Sequence, residues 1–395
     1  MYSKYDVIVV GGGPAGSRVA YRLASNGHKV LVLEKKAAVG EDVCCTGIVG
    51  RECLETYGIV KIPVLQELNS ACLFSPSGKV IRVARSETQA VVLDRGAFDR
   101  AMAEHAQNSG AEYRLASPVA DIAVLKDKVV VSLSRFAGDR VFEARVAVNA
   151  TGFPSRLTGE LGLGSYGDTV FGAQAEIPSS VEEVEVYFGR QIAPGFFGWL
   201  VPSVPGMARA GLLCRRRPAN YFKQFAANLA AQGKIAFGNI KPDFGAIPLK
   251  SLEHTSSDRL LVVGEAAGQI KPTSGGGIYY GLLGADIAAD VLHHALDTDR
   301  LSAKDLADYD RRWRRLLGRE MARGYRARKV FECLSDRQID RIFAIINDTG
   351  LEKELANMKE LSFDWHGKAI TALLRKGMRS GVSRLFARSL RGDRR

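Results

Sequence analysis

Apolar residues near the start of the chain come in short unbroken runs that end on glycine or an acid, not at helical spacing. Val7-Ile8-Val9-Val10 leads into Gly11-Gly12-Gly13-Pro14-Ala15-Gly16, and a second run, Val30–Leu33, stops at Glu34. Continuous runs of this length predict parallel strands buried on both faces. Between them the pattern predicts a helix from Pro14 to about Ser25, started by an early proline and stopped by Asn26-Gly27, a left-handed exit. The pattern Val129-Val130-Val131-Ser132-Leu133 predicts a half-buried hairpin strand over 129–134, followed by a strand over 141–149 that ends in Asn149-Ala150-Thr151-Gly152. A third run, Leu260–Val263, reaches Gly264-Glu265, and Gly275-Gly276-Gly277 then opens a long helix from Tyr279 to about Leu296.

These strand-to-loop junctions predict a nucleotide lobe assembled from segments 1–65, 91–165 and 256–300, the middle one carrying a helix from Asp94-Arg95 to about Ser109. Residues 66–90 and 166–255, with turns at Pro194-Gly195 and Pro205-Gly206, read as an inserted β-rich lobe for substrate, and 301–395 as a helical, basic region. At 395 residues the chain exceeds one ordinary core, and 46% apolar with 25% charged residues is a globular composition. No run of 18 apolar residues occurs, so no spanning helix is expected. The first strand begins at Tyr5, leaving no room for a leader, and the six cysteines lack zinc spacing. A reducing, cytoplasmic setting is the expectation. The six histidines suggest no ligand cluster, and no metal is expected.

The chemistry sits at the junctions. In Gly11-x-Gly13-x-x-Gly16 the first glycine makes the tight turn, the second lets backbone approach a pyrophosphate, and the third lets the helix pack on the sheet. The helix N-terminus meets phosphates with unpaired N–H groups and its positive dipole end. Glu34 follows Gly16 by 18 residues, where an acidic side chain accepts the ribose hydroxyls of an adenosine. That motif leaves FAD and NAD open; the second junction favours FAD. There Glu265 would reach ribityl hydroxyls, and the N–H groups of Gly276, Gly277 and Ile278 would face the N1/O2 edge of the isoalloxazine. The expected fold class is therefore α/β: a Rossmann-like FAD-binding lobe of the glutathione-reductase type, an inserted β-rich substrate lobe and a C-terminal helical region. Arg95 suits a phosphate or ribose contact as a fixed cation, with a solvated surface arginine as the other reading.

Five motifs together resemble the FAD-dependent geranylgeranyl reductase family, within the group related to para-hydroxybenzoate hydroxylase. They are GGGPAG at 11–16 with Glu34, CCTG at 44–47, DRGAFD at 94–99, PGFFGWLVP at 194–202 and GEAAG…PTSGGGI at 264–278. The resemblance covers roughly residues 5–300. It implies a reductase that saturates double bonds of an isoprenoid chain on a diphosphate, lipid or prenyl tail, with reduced FAD as hydride donor. It also implies FAD contacts at Ala15, Glu34, Arg95, Val119, Glu265, Gly277 and Ile278, although the family usually has Asp where this chain has Glu265. The C-x-x-G match aligns Cys44 with the family's functional cysteine and Gly47 with its glycine, and assigns Cys45 with Gly47 to the cofactor loop. A thiol there would give the proton that accompanies hydride, or steer the reactants; simple packing is the other reading. Phe197, Trp199 and Val201 point one way along a strand, and Phe197, Trp199 and Pro202 would form an apolar wall for the lipid tail, with a plain core strand as the alternative.

Charge adds two further readings. The net charge is +12, and between His366 and Arg395 nine Lys and Arg face one acid, Asp393. No nucleic-acid motif accompanies them, so no nucleic-acid partner is expected. Ile370, Leu373, Leu374, Met378, Val382, Leu385, Phe386 and Leu390 recur at helical steps among these charges. They predict a basic amphipathic helix that lies on an anionic membrane surface or packs on the protein. Arg311-Arg312-Trp313-Arg314-Arg315 either lines the entrance for a phosphorylated head group or forms a solvated face. NADPH or a ferredoxin is the expected reductant, since no second dinucleotide fingerprint occurs. Two other functions stay open: a flavin monooxygenase or halogenase, whose W-x-W-x-I-P register overlays PGFFGWLVP with Phe197 in place of the first tryptophan, and an electron-transfer flavoprotein serving a quinone.

Overall fold

The computed structural model describes residues 5–58, 63–134, 141–236, 238, 240–358, 362–367 and 370–371. It divides into two compact units, one comprising Met1–Val43, Arg95–Thr169 and Ile247–Met321, the other Cys44–Asp94, Val170–Ala246 and Ala322–Arg395. The amphipathic pattern beyond residue 371 lies outside the described residues. Among the described residues no helix is long and apolar enough to cross a membrane.

The first unit is built on a sheet whose strand order is Ser256–Ser257, Leu260–Val262, Val141–Asn149, Tyr5–Val10, Val30–Leu33 and Glu112–Arg114, with the hairpin strands Val119–Val124 and Val129–Leu133 alongside Val141–Asn149. The apolar runs behave as their pattern predicts: Tyr5–Val10 pairs in parallel with both neighbours, and Val10 lies opposite Asn149 and Leu33. Gly11, Glu34 and Ala150 therefore leave the sheet at one edge, the carboxyl end where ligands of such sheets bind. Helix α1 (Pro14–Ser25) covers the sheet, and helices α2 (Arg95–Asn108), α3 (Ile278–Asp297) and α4 (Ala303–Trp313) follow.

Within the basic run, Trp313 is a buried structural residue, while Arg311 and Arg312 stay on the exposed face, 67% and 43% exposed. Trp313 is buried and donates to the Thr255 hydroxyl at 2.8 Å, while Asp310 accepts from the Thr255 N–H and hydroxyl, the Ser256 hydroxyl and Arg314. Arg311 pairs with Asp308 and Arg312 with Asp290, both at 3.1 Å. Three of the four arginines thus answer acids of the same unit.

The second unit holds a seven-stranded sheet in the order Asp243–Pro248, Thr169–Pro178, Met207–Cys214, Phe197–Pro202, Val184–Phe188, Ser70–Phe74 and Val80–Ala84. A three-stranded sheet places Ala90–Leu93 between Ile48–Gly50 and Val64–Leu68. That pairing draws 44–65 into this unit, where the sequence reading had placed it with the nucleotide segments. Chain from Ala322 onward also joins it: Leu334, with Ile339 and Phe343 on the helix Asp336–Thr349 that the Ser335–Gln338 capping box opens, forms a core with Ile81.

A buried polar network in the first unit has no counterpart in the sequence reading. The Gln269 carbonyl oxygen accepts the Gly264 N–H at 2.8 Å, its amide donates to the Tyr309 hydroxyl at 2.8 Å, and that hydroxyl donates to the Val262 carbonyl at 2.9 Å. Gln269 fits because Gly284 of α3 has no side chain; a methyl there would lie 2.2 Å from the Gln269 oxygen. Gln269→Met keeps the volume but leaves the Gly264 N–H buried without an acceptor. Such a loss costs about 1–3 kcal/mol, and urea unfolding of the variant is expected to show a midpoint lowered accordingly.

Candidate active site

In the first unit the two glycine junctions converge. A methyl on Gly11, whose φ is +106°, would lie 2.4 Å from the Ala150 carbonyl oxygen, and one on Gly16 would lie 2.0 Å from the Gly11 oxygen. Both positions exclude any side chain, and the contacts press the start of α1 onto the sheet edge. A side-chain carbon on Gly13 would meet nothing within 4 Å, so the uncapped first turn of α1 opens onto free space. Methyl positions on Gly264 and Gly281 reach the Ala15 side chain at 3.0 and 3.7 Å. The starts of α1 and α3 therefore flank Gly264, and the ion pairs of Arg18 and Arg22 with Asp286, and of Arg22 with Asp290, at 2.6–3.0 Å, tie the two helices farther along.

Each helix start carries a carboxylate close by. Glu34 is buried, and its oxygens accept the Gly12 N–H at 2.7 Å and the Lys36 N–H at 3.0 Å, which leaves one lone pair on each for a diol. The Ser117 N–H bonds the Glu34 carbonyl at 2.8 Å, so the chain runs past Glu34 just before Val119, half-buried at the start of its strand. Glu265 packs against Gly277: a methyl there would lie 3.3 Å from the carboxylate oxygen. Burial pushes the Glu265 carboxyl up from its ordinary value of 4.5, and the charge of Arg95 works against that rise.

Arg95 opens α2 and bonds Asp99 one turn on, at 3.0 Å, with both side chains largely buried. It is not a solvated surface arginine. Burial pushes Asp99 upward as well, and Arg95 again opposes. Asp99 lies in the DRGAFD motif four residues after Arg95, and that spacing is the signal by which it could have been singled out.

The loop that opens α3 is built around Gly276, where a methyl would lie 2.9 Å from the buried Lys271 side chain. Gly276, Gly277 and Ile278 form the uncapped start of the 20-residue helix. Among the described residues the Ser274 hydroxyl oxygen just before them is buried with no hydrogen-bond partner. Two uncapped helix starts, an oriented carboxylate at Glu34, open space at Gly13 and an orphaned hydroxyl fit an extended dinucleotide such as FAD.

The second unit holds the cysteine loop and the aromatic strand. Trp199, Gly211 and Gln174 stand in register on adjacent strands. A methyl on Gly211 would lie 2.3 Å from the indole, so the missing side chain lets Trp199 lie across toward Gln174. The Gln174 amide oxygen accepts from the indole N–H at 3.3 Å and from the Thr46 hydroxyl at 2.8 Å, while Arg209 donates to the Thr46 carbonyl at 2.8 Å. These bonds fasten the CCTG loop to the aromatic strand. Cys44 is exposed; Cys45 is half-buried, and its sulfur accepts the N–H of Gly47, which is held at a φ of +79°. Phe197 and Trp199 share one face, with ring centroids 6.0 Å apart, while Gly198 and Leu200 are buried on the other. Val201 packs with Trp199 and Ile48, and Pro202 ends the strand buried opposite Ala208. Gln174 and Arg209 carry no motif, and Thr46, though inside CCTG, was given no role beforehand.

The pH dependence of folding follows from Glu265. A carboxyl raised in the folded chain favours the protonated form, so its contribution is present below the ordinary value of 4.5 and is lost as pH rises through the folded value. Without bound nucleotide, Glu265→Gln is therefore expected to raise the urea midpoint at neutral pH, and to change it little below 4.5, with the same variant binding flavin more weakly.

A family model described as pyridine nucleotide-disulphide oxidoreductase matches residues 5–180. The digeranylgeranylglycerophospholipid reductase 2 of Methanothermobacter thermautotrophicus is 30% identical over 375 residues, 91% of this chain and 95% of that protein. The digeranylgeranylglycerophospholipid reductase of Methanocaldococcus jannaschii is 31% identical over 364 residues, 87% of this chain and 91% of its own. The fold matches the crystal structure of a geranylgeranyl bacteriochlorophyll reductase-like protein from Thermoplasma acidophilum, with a TM-score of 0.83, 24% identity and coverage of 96% of this chain and 99% of that one. A halogenase in complex with FAD is more distant, at a TM-score of 0.69 and 16% identity, covering 99% of this chain and 87% of its own. On nearly full-length likeness at 30% identity, the chain belongs to the digeranylgeranylglycerophospholipid reductase family.

Proposed function

We propose that this protein is an FAD-dependent reductase that saturates the double bonds of geranylgeranyl chains on a glycerophospholipid. The observation that carries the proposal is the match to reductases of that name along about nine-tenths of the chain. The halogenase reading has less support, from the lower TM-score and from Phe197 at the position of the first tryptophan.

Saturating an isolated alkene adds a hydride to one carbon and a proton to the other; bound reduced FAD supplies the hydride. The remaining work belongs to side chains and backbone. The α1 N–H groups behind Gly11, Gly13, Ala15 and Gly16 hold the pyrophosphate, Glu34 the adenosine ribose, and Val119 the adenine end. Arg95 offers a fixed cation, Glu265 accepts the ribityl hydroxyls, and the Gly276, Gly277 and Ile278 N–H groups face the pyrimidine edge. Cys44 holds the proton on an exposed thiol, Cys45 and Gly47 shape its loop, and Phe197 and Trp199 give an apolar wall for the chain and exclude water, while Pro202, expected in that wall, alternates to the opposite, buried face of the strand. NADPH or a ferredoxin, docking transiently, returns electrons. The basic pattern of 370–390 supports peripheral attachment to the cytoplasmic face of a membrane that contains the lipid substrate.

With the flavin reduced anaerobically by dithionite, a geranylgeranylated glycerophospholipid is expected to reoxidise it and to gain about two mass units per saturated bond. Reoxidation by oxygen or a quinone alone would sink the proposal. Cys44→Ser is expected to retain bound flavin and to slow lipid-driven reoxidation by about 10²-fold or more, the contribution of a positioned proton donor. An unchanged rate would remove Cys44 from that role.

A further inference from the structure

Folding brings together two histidines that are 265 positions apart. His28 follows α1 after Gly27, its N–H bonded to the Leu23 carbonyl, while His293 and Asp297 stand one turn apart near the end of α3. His28 Nε2 lies 2.8 Å from His293 Nδ1 and 3.9 Å from Asp297 Oδ1, and His293 Nδ1 lies 3.6 Å from Asp297 Oδ2. Among the described residues this is the one trio of His, Cys, Asp or Glu side chains whose ligand atoms all fall within 4.8 Å of one another. It corrects the sequence reading, in which the histidines formed no cluster.

We propose that His28, His293 and Asp297 bind one divalent transition-metal ion of the zinc type, with water in the fourth position. Zinc takes imidazole nitrogen and carboxylate oxygen at about 2.0–2.2 Å in tetrahedral geometry, which separates ligand atoms by about 3.3–3.4 Å. The three observed separations straddle that value, and the adjustment falls on the two mobile partners: the side chains of His293 and Asp297 are 39% and 55% exposed, that of His28 only 9%. No proton need leave, because the N–H that now bridges the two rings moves to the outer nitrogen of its own ring.

Of the charged groups that act on His28, Arg145 opposes a cation, while Asp6 and Asp297 favour one. Arg145 is paired to Asp6 at 3.3 Å and to Asp299 at 2.8 Å. Imidazole with one carboxylate favours zinc, nickel, cobalt or copper over magnesium and calcium, which take oxygen ligands. The ion would clip the turn after α1 to α3, the helix whose opposite end starts at Ile278, roughly 20–30 Å away along its axis. Its role is to brace the first unit, apart from the chemistry.

The test uses untagged full-length protein, stripped with a chelator and desalted. Titration with zinc chloride in a calorimeter is expected to show one equivalent taken up and a raised melting temperature. His293→Ala and Asp297→Asn, both at exposed positions, are expected to weaken binding at least about tenfold, since even outer-sphere changes at metal sites cost 10–100-fold. Cobalt(II) is expected to give a spectrum without thiolate charge transfer. Absence of one-equivalent uptake, unchanged affinity in both variants, or a thiolate band tracing the metal to Cys44 and Cys45 would each overturn the proposal.

Discussion

Backbone approaches that leave no space for a side chain govern the first unit. Gly11 against Ala150, Gly16 against Gly11, and Gly264 and Gly281 against Ala15 are the points where two helices and the sheet edge touch. A methyl at Gly11 or Gly16 would sit 2.0–2.4 Å from backbone oxygen, a clash that no rotamer relieves. Because these contacts hold, α1 and α3 present uncapped starts on either side of Gly264. Each start lacks a side-chain cap and presents a positive dipole end, worth about 0.3–1 kcal/mol, and up to about 2 where partly buried, to a nearby anion. The same close packing admits Gln269 beneath Gly264, so the turn that carries Glu265 is fixed by a buried amide rather than by loop sequence.

Two carboxylates near those starts are treated differently by their surroundings. Glu34 accepts two backbone N–H groups, which orient it. Glu265 is penalised by burial, with Arg95 as the opposing charge, and Arg95 is itself held by Asp99. The first arrangement is complete without a ligand. The second leaves an acid whose charged form lacks donors, which a polyhydroxyl chain would provide.

In the other unit the comparable constraint is polar. One amide oxygen, that of Gln174, takes both the Trp199 indole and the Thr46 hydroxyl, and Gly211 provides the space for the ring. Through this junction the position of the cysteine loop depends on a sheet formed more than a hundred residues later in the chain. A loop so tied can hold a thiol exposed without leaving it loose.

Much of the fold was legible from local pattern. Val7–Val10, Val30–Leu33 and Leu260–Val262 read as buried strands because their runs are apolar on both faces, and Pro14 and Asn26-Gly27 bounded α1 because proline fixes φ while glycine accepts the positive φ of the exit. The glycine spacing was legible for the same reason: the constraint lies in the backbone at Gly11 and Gly16. That residues 44–58 and the helices after Ala322 group with the second sheet was not legible, because strand pairing and core packing between distant segments leave no local mark. Asp310 gathers Thr255, Ser256 and Arg314 beside the buried Trp313, and the histidine and aspartate trio appeared only when the turn after α1 met the far end of α3. The sequence by itself determined where nucleotide-binding turns and helices begin, since those depend on single-residue conformational limits. Only the tertiary structure decided which side chains meet, since hydrogen bonds, ion pairs and ligand sets depend on distances that chain separation does not encode.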